Sequence, residues 1–285
     1  MTALFNVIMK IHFLGTGAAE GVPAMFCNCA YCNAIRKAGK KEFRNRTQIL
    51  IDGVLSLDFP PEAYANSLNY GYNFTNLKNI LVTHSHQDHF YAHDFILRGY
   101  KYAAVAEPLL EIYGNSVVAE IFRECTSHEM KPEVAANIKF NEIQPYTVLN
   151  VDGYKVIAIP ANHGKIDCLL FYVEKNGKGY LHLHDTGRIG EEALEYLAQN
   201  GAKVQAVAYD CTFVGGVGGE NARHMGIEDV MLIKEKLLKL GVINTKTKNI
   251  ITHFSHNANP TRANLKKIEK QYGVIAAYDG MKIDL

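Results

Sequence analysis

The order of elements along the chain predicts an α/β protein of the α+β type, a four-layer αββα sandwich with two sheets face to face and helices outside. Each half of the 285 residues runs strands first and helices afterwards, which argues against a doubly wound parallel sheet. No internal repeat or low-complexity linker interrupts it, so residues 1–285 read as one domain with a small cysteine-rich insertion near 27–32.

In the first half, Val7–Leu14 reads as a strand ending in Gly15-Thr16-Gly17. Thr47–Ile51 and Val54–Leu57 read as a hairpin around Asp52-Gly53, a dipeptide suited to tight turns. Asn79–Thr83 is a short apolar strand, and Phe90 to about Lys131 reads as mostly helical, with one strand at Leu109–Tyr113. The second half opens with strands at Thr147–Asn150 and Lys155–Ile159, then a hairpin joining Cys168–Glu174 to Gly179–His184 across Asn176-Gly177. Glu191–Gln199 reads as a helix and Val204–Tyr209 as a strand. A glycine-rich loop, Gly215–Gly219, precedes an amphipathic helix from Ile227 to Leu240 with Glu228 and Asp229 in its first turn. Ile250–Thr252 is a strand, Thr261–Tyr272 a helix and Val274–Ala277 a final strand.

A formal net charge of +1 supplies no overall basic field for nucleic acid or acidic membrane, so a small anionic substrate must be held by local groups. No apolar stretch approaches a membrane span. Met1–Leu14 is apolar but lacks a basic start and is interrupted by Lys10 and His12, which speaks against a signal peptide. The six cysteines fall into a tight trio, Cys27, Cys29 and Cys32, and three singles, Cys125, Cys168 and Cys211. That distribution suits a metal clip in a reducing compartment better than a disulfide framework, and a cytoplasmic location is expected.

The chemistry concentrates in Thr83-His84-Ser85-His86-Gln87-Asp88-His89, directly after the strand that starts at Asn79. Three imidazoles and a carboxylate on a strand-to-loop corner can converge on one point, and these donors suit zinc, manganese or iron. A surface histidine-rich loop is the alternative, and the strand context weighs against it. The pattern HxHxDH resembles the first metal motif of the metallo-β-lactamase superfamily, and the match is complete. That resemblance implies further ligands at later strand ends, and His163, Asp185 and His253 follow apolar strands in the required order. By the same likeness His84, His86 and His163 hold one divalent ion, manganese or zinc. Asp88, His89 and His253 hold a second, and Asp185 bridges the pair. His86 stands where redox di-iron members carry a glutamate, which favours hydrolysis. His182 and His184 share a strand face from which Asp185 points away, and read as packing or supporting residues.

Cys27-Asn28-Cys29-Ala30-Tyr31-Cys32 can wrap one tetrahedral zinc ion, with His256 the best candidate for the fourth ligand. Three ordinary thiols are the alternative, but exposed thiols this close are a liability without a metal. Gly15-Thr16-Gly17, Gly21-Val22-Pro23 and the Cys-x-Cys-x-x-Cys run together resemble the opening of the phosphoribosyl cyclic phosphodiesterases of the carbon–phosphorus lyase pathway of phosphonate breakdown. Tyr278-Asp279-Gly280-Met281 resembles their close. A cofactor-biosynthesis relative shares the clip but generally lacks a full metal motif.

The resemblance implies a small phosphodiester substrate, such as phosphoribosyl 1,2-cyclic phosphate. It is cleaved by a hydroxide held between the two cations, with Asp185 fixing the pair and His224 protonating the leaving group. It also implies one structural zinc, a homodimer and an opening at Met9, with Met1–Ile8 an extension. Tyr91–Phe140 does not align with it and is expected to form part of the substrate wall. Tyr91, His93 and Asp94 are candidates to support a ligand, while Lys40, Lys41, Arg44 and Arg46 read as a solvated loop rather than a phosphate-recognising edge. Two other functions stay open. One is a tRNA 3′-end nuclease of the same fold, disfavoured by the balanced charge and the lack of an obvious tRNA-binding arm. The other is a non-catalytic metal-binding sensor, disfavoured by the complete ligand set.

Overall fold

A computed structural model describes residues 8–164, 168–216 and 218–285. Val7 of the first expected strand and Val217 of the glycine-rich loop lie outside them. The strands of the first half are β1 (Lys10–Gly15), β2 (Gln48–Ile51), β3 (Leu55–Leu57), β4 (Asn79–Leu81), β5 (Leu110–Gly114) and β6 (Ile138–Glu142). Those of the second are β7 (Val148–Val151), β8 (Tyr154–Pro160), β9 (Leu169–Lys175), β10 (Lys178–Leu183), β11 (Ala206–Asp210), β12 (Lys248–Thr252), β13 (Ile275–Ala276) and β14 (Lys282–Asp284). The helices are α1 (Ala30–Ala38), α2 (Ala63–Tyr70), α3 (Ser116–Thr126), α4 (Pro132–Ala135), α5 (Glu191–Gln199), α6 (Ile227–Lys239) and α7 (Arg262–Tyr272).

Two 7-stranded sheets result, in the orders β14-β1-β2-β3-β4-β5-β6 and β13-β12-β11-β10-β9-β8-β7. In the first, β14 through β3 pair antiparallel and β3 through β6 parallel. In the second, β7 through β10 pair antiparallel and β10 through β13 parallel. The halves thus share one pairing plan without a repeat in sequence. The last strand leaves its own half to pair with β1, Lys10 opposite Asp284.

The layering follows from strand periodicity. In β9, Leu169, Phe171 and Val173 pack into the core between the sheets, while Leu170 and Tyr172 pack into the core under the helices of the second half. In β8, Val156 and Ala158 face inward and Ile157 and Ile159 outward. Such strands read as continuous apolar runs because both faces are buried. The outward face is covered by Leu194 and Leu197 of α5, Val230, Ile233 and Leu237 of α6, and Leu265 of α7. A third core puts Leu50, Ile80 and Ile112 against Ala63 of α2 and Val118 of α3, completing four layers. Left-handed pairs make the hairpins: Asp52 and Gly53 (φ 51° and 76°), and Asn176 and Gly177 (53° and 76°). Both pairs fit the turn that matches strand twist. Among the described residues no helix is long and apolar enough to cross a membrane.

The expected helical stretch from Phe90 to Lys131 needs correction. Only a 3-10 turn at Ala92–Leu97 and α3 are helical there, and residues 98–109 run as turns, bends and irregular chain. Gly99 (φ 123°) and Tyr100 (φ 51°) leave helical backbone space, and the Arg98 guanidinium ties the loop by donating to the carbonyls of Glu107 and Pro108. Tyr91, Phe95, Leu97 and Tyr102 from this stretch help line an apolar cavity of about 680 Å³. The basic run is corrected as well. Arg44 is only 6% exposed, and Arg46 Nε donates to both carboxylate oxygens of Glu62 at 2.7 and 2.9 Å.

His12 on β1 is half-buried against Tyr70 and Tyr72, and its Nε2 is buried without a partner. Burial, aided by Lys282, pushes its pKa down to about 4. Because the folded pKa lies below the unfolded one of about 6.5, the contribution is present above that value and is lost as pH falls toward about 4. His12→Phe should therefore flatten part of the loss of unfolding free energy between pH 7 and pH 4.5. Urea denaturation curves that decline in parallel for variant and wild type would contradict this.

Candidate metal centre

The site is assembled at the C-terminal ends of strands from both sheets. The 83–89 motif follows β4, His163 follows β8, Asp185 follows β10, Asp210 ends β11 and His253 follows β12. Loops at this edge are free to aim side chains without spoiling the ladders that hold them. Two positions require unusual backbone: His253 (φ 62°) and Asp58 after β3 (φ 63°) both adopt the left-handed region. Each costs on the order of 1 kcal/mol and persists only because the surrounding packing fixes it.

Three donor groups overlap at one carboxylate, Asp185; one of them joins it to Asp210, His224 and His253, and the other two match the expected ligand sets. His84, His86, His163 and Asp185 form the first, and Asp88, His89, Asp185 and His253 the second, with all ligand atoms in each group within 4.8 Å of one another. Asp185 faces both ways. Its Oδ2 lies 3.3 Å from His89 Nε2, 3.5 Å from His163 Nε2 and 3.8 Å from His84 Nε2, while Oδ1 lies 2.6 Å from His253 Nε2. His86, the exposed member, places Nδ1 2.8 Å from His84 Nε2.

The opposite ring nitrogens are tied back. His84 Nδ1 lies 3.0 Å from Thr83 Oγ1, and His89 Nδ1 lies 2.7 Å from Asp58 Oδ2. His163 Nδ1 lies 3.1 Å from the Arg223 carbonyl oxygen, and His253 Nδ1 2.9 Å from Thr212 Oγ1. Partners of this kind fix the ring and leave Nε2 as the inward donor. Burial pushes the pKa values of His84 and His163 down, well down for His84. For Asp185, burial works the other way but His253 and His89 outweigh it and hold the carboxyl well below its usual range. Neutral imidazole and ionised carboxylate are the forms that ligate a metal. His89 is the exception: burial opposes its charge, yet Asp185, Asp88 and Asp58 together raise its pKa well above normal. A divalent cation held by Asp88 and Asp185 would answer the charge of those two carboxylates, while Asp58 holds the far side of the His89 ring.

The residues fit such an ion by a second criterion. His89 Nε2, His253 Nε2 and Asp185 Oδ1 are buried and have no hydrogen-bond partner among the described residues, even though the last two approach each other closely. Orphaned buried polar atoms are costly, and one or two cations at Asp185 would engage all three.

His224 stands at the edge, its ring 4.8 Å from that of His163 and stacked 5.5 Å from His253. Its Nδ1 lies 2.8 Å from Asp210 Oδ2. Burial lowers its pKa, but the Asp210 carboxylate outweighs that and lifts it to about 9. Asp210 also accepts from the backbone of Thr186, Thr212 and Met225, which locks it in place. Sequence reasoning missed both Asp58 and Asp210. Each follows or ends an apolar strand, the same signal that singled out His163, Asp185 and His253.

His182 and His184 lie outside the donor groups. Their rings are 3.9 Å apart, with His184 Nδ1 3.2 Å from Thr47 Oγ1 and its ring 6.1 Å from that of His253. Burial keeps both neutral, His182 with a pKa of about 3. His93 is exposed, stacks on Tyr91 and joins no donor group.

A separate group gathers Cys27, Cys29, Cys32 and His256, again with ligand atoms within 4.8 Å. Cys29 caps α1, its Sγ accepting from Cys32 N at 3.4 Å, and Cys27 Sγ accepts from Cys29 N at 3.4 Å. Cys32 Sγ lies 3.3 Å from His256 Nδ1. The Cys32 amide, then Cys27 and His256, lower the Cys29 pKa to about 6, while burial raises that of Cys32 to about 11. Among the described residues the cysteines form no disulfide.

The fold has known counterparts. A family model described as a beta-lactamase superfamily domain matches residues 47–254. A diphosphatase of the PhnP family superposes with a TM-score of 0.74 at 19% identity over 98% of each chain. Zinc-bound PqqB from Methylobacterium extorquens gives 0.72 at 17% identity over 97% of this chain and 100% of that one. The short form of human tRNase Z gives 0.67 at 17% identity over 96% and 98%. No curated protein matches by sequence search. With the family match spanning most of the strands that carry the histidine motif, the chain belongs to the metallo-β-lactamase superfamily, whose members are generally divalent-metal-dependent hydrolases.

Proposed function

We propose that this protein is a metal-dependent phosphodiesterase acting on a small phosphodiester of the phosphoribosyl 1,2-cyclic phosphate type. The observation that carries the reading is the pair of donor groups sharing Asp185, with the Asp210–His224 pair beside it. Divalent ions in those groups would supply Lewis acidity toward a phosphoryl oxygen and toward water. The protein's own part is geometric and protonic. Asp185 fixes the spacing of the two groups, and the ties to Asp58, Thr83, Thr212 and the Arg223 carbonyl prevent the rings from turning. His224, held by Asp210 through Nδ1 and kept charged near neutrality, offers its Nε2 proton to the departing oxygen. The Cys3His group belongs to the same reading as a structural zinc site that secures the 18–30 loop and the start of α1. Fold likeness to a diphosphatase of the PhnP family, together with this clip, favours a small phosphate ester over a polynucleotide.

The basic test is metal dependence. Hydrolysis of bis-nitrophenyl phosphate and of a ribosyl cyclic phosphate should vanish on chelation and return with manganese or zinc. Metal-replete protein that leaves both untouched would sink the assignment. Asp185→Asn should lower turnover by at least about a hundredfold with the fold intact by circular dichroism, since it removes the donor common to both groups. A variant that keeps full turnover would refute the shared-carboxylate reading. His224→Ala should slow esters with poor leaving groups by about 10²–10⁴-fold but nitrophenyl esters far less. Equal losses across leaving groups would argue against proton donation. Cys29→Ser should lower zinc content and melting temperature more than turnover, because structural zinc couples to folding. Unchanged melting would remove the clip from this account.

A further inference from the structure

The basic run after the clip does not end as a solvated edge. Lys40, Lys41 and Arg44, joined by Arg262 from the first turn of α7, line an open cavity of about 340 Å³ together with Tyr278 and Asp279. Lys40, Lys41 and Arg262 are exposed, and among the described residues none of their side chains pairs with a carboxylate. Arg44 is different because it is buried. Its hydrogen bonds leave from Nη1, to Thr16 Oγ1 at 2.7 Å and the Ala277 carbonyl at 2.8 Å. Its Nε is buried with no partner. Its guanidinium carbon lies 4.6 Å from the centre of the Phe254 ring.

The carboxylate at this cavity attracts the guanidinium without touching it. Asp279 accepts from Thr16 Oγ1 and from the Asn45 amide, each at 2.6 Å, and no ion pair joins it to Arg44 among the described residues. Four cationic side chains therefore line a cavity whose one lining carboxylate is already committed, with Glu42 beside it accepting from the Arg262 backbone amide at 3.0 Å. Among the described residues Lys40, Lys41 and Arg262 meet here without a carboxylate partner for their side chains, and an anion seated among them would offset their mutual repulsion. Planar, forked donors match the oxygens of a phosphate. The volume is near the lower end of ligand pockets, about 300–1,000 Å³, enough for a phosphate and a few attached carbons. None of the lining residues belongs to the donor groups at Asp185 or to the cysteine clip.

We propose that this cavity is a second anion site that takes the phosphate group of a small phosphomonoester. The test is calorimetric titration of glycerol 3-phosphate into the full metal-loaded chain, with glycerol as the uncharged control. Three proteins are compared: wild type, the Lys41→Gln/Arg262→Gln double variant and Asp185→Asn. A saturable site should persist in Asp185→Asn and weaken at least about tenfold in the double variant. Model diester hydrolysis by the double variant should stay within about twofold of wild type. Three results would overturn the proposal: no saturable binding beyond that lost with Asp185→Asn, affinity unchanged by the double variant, or equal binding of glycerol. Saturable binding confined to an RNA oligonucleotide, with a steep salt slope, would overturn it in favour of a nucleic-acid contact.

Discussion

A single carboxylate, buried and ringed by imidazoles, sets the terms for everything around it. Asp185 is 3% exposed, and His84, His89, His163 and His253 all bring Nε2 within 4 Å of its oxygens. Such a group can stay ionised away from water only if positive charge is close at hand. In the protein alone the His253 and His89 rings at its oxygens hold the Asp185 carboxyl well below its usual range, and inward atoms of the cluster lack hydrogen bonds. The surrounding residues divide accordingly. Those touching Asp185 supply donors, Asp58, Thr83 and Thr212 hold those donors still, and Asp210 holds His224 beside them.

The same constraint explains where backbone strain has been accepted. Strand β12 could continue in extended geometry past Thr252, but His253 would then not turn toward Asp185. A left-handed residue at that point re-aims the ring, and Phe254 returns to a bridge with Gly17. Asp58 makes the equivalent bend at the end of β3 and reaches His89 and Thr83. Neither conformation would be chosen for stability, since a β-carbon there crowds the backbone. Both sit beside the cluster.

Much of this was legible before any coordinates because the chemistry is local. His84 to His89 are contiguous, and the strand-end rule extends from them to His163, Asp185 and His253. The clip is equally compact, and the structure brings His256 to it from 224 residues beyond Cys32. What escaped notice depended on tertiary partners. Asp58 and Asp210 look in sequence like the turn residue Asp52, and only their reach toward His89 and His224 separates them. Arg44 sits among Lys40, Lys41 and Glu42 and shares their solvated appearance, yet its backbone pairs with Val22 and its side chain passes inward to Thr16. The 98–109 segment was misjudged because its apolar and aromatic residues fit a helical pattern, while Gly99 and Tyr100 break the path.

The shared pairing plan of the two sheets has a mechanical consequence. One half supplies His84, His86, Asp88 and His89, the other His163, Asp185 and His253, so the donors straddle the seam between two similar lobes. An ion seated there would also act as a rivet. A tighter grip on it would tighten the seam, and prying the lobes apart from the far end would loosen the grip. Substitutions in the inter-sheet core, remote from any histidine, would thereby gain a lever on how firmly such an ion is kept.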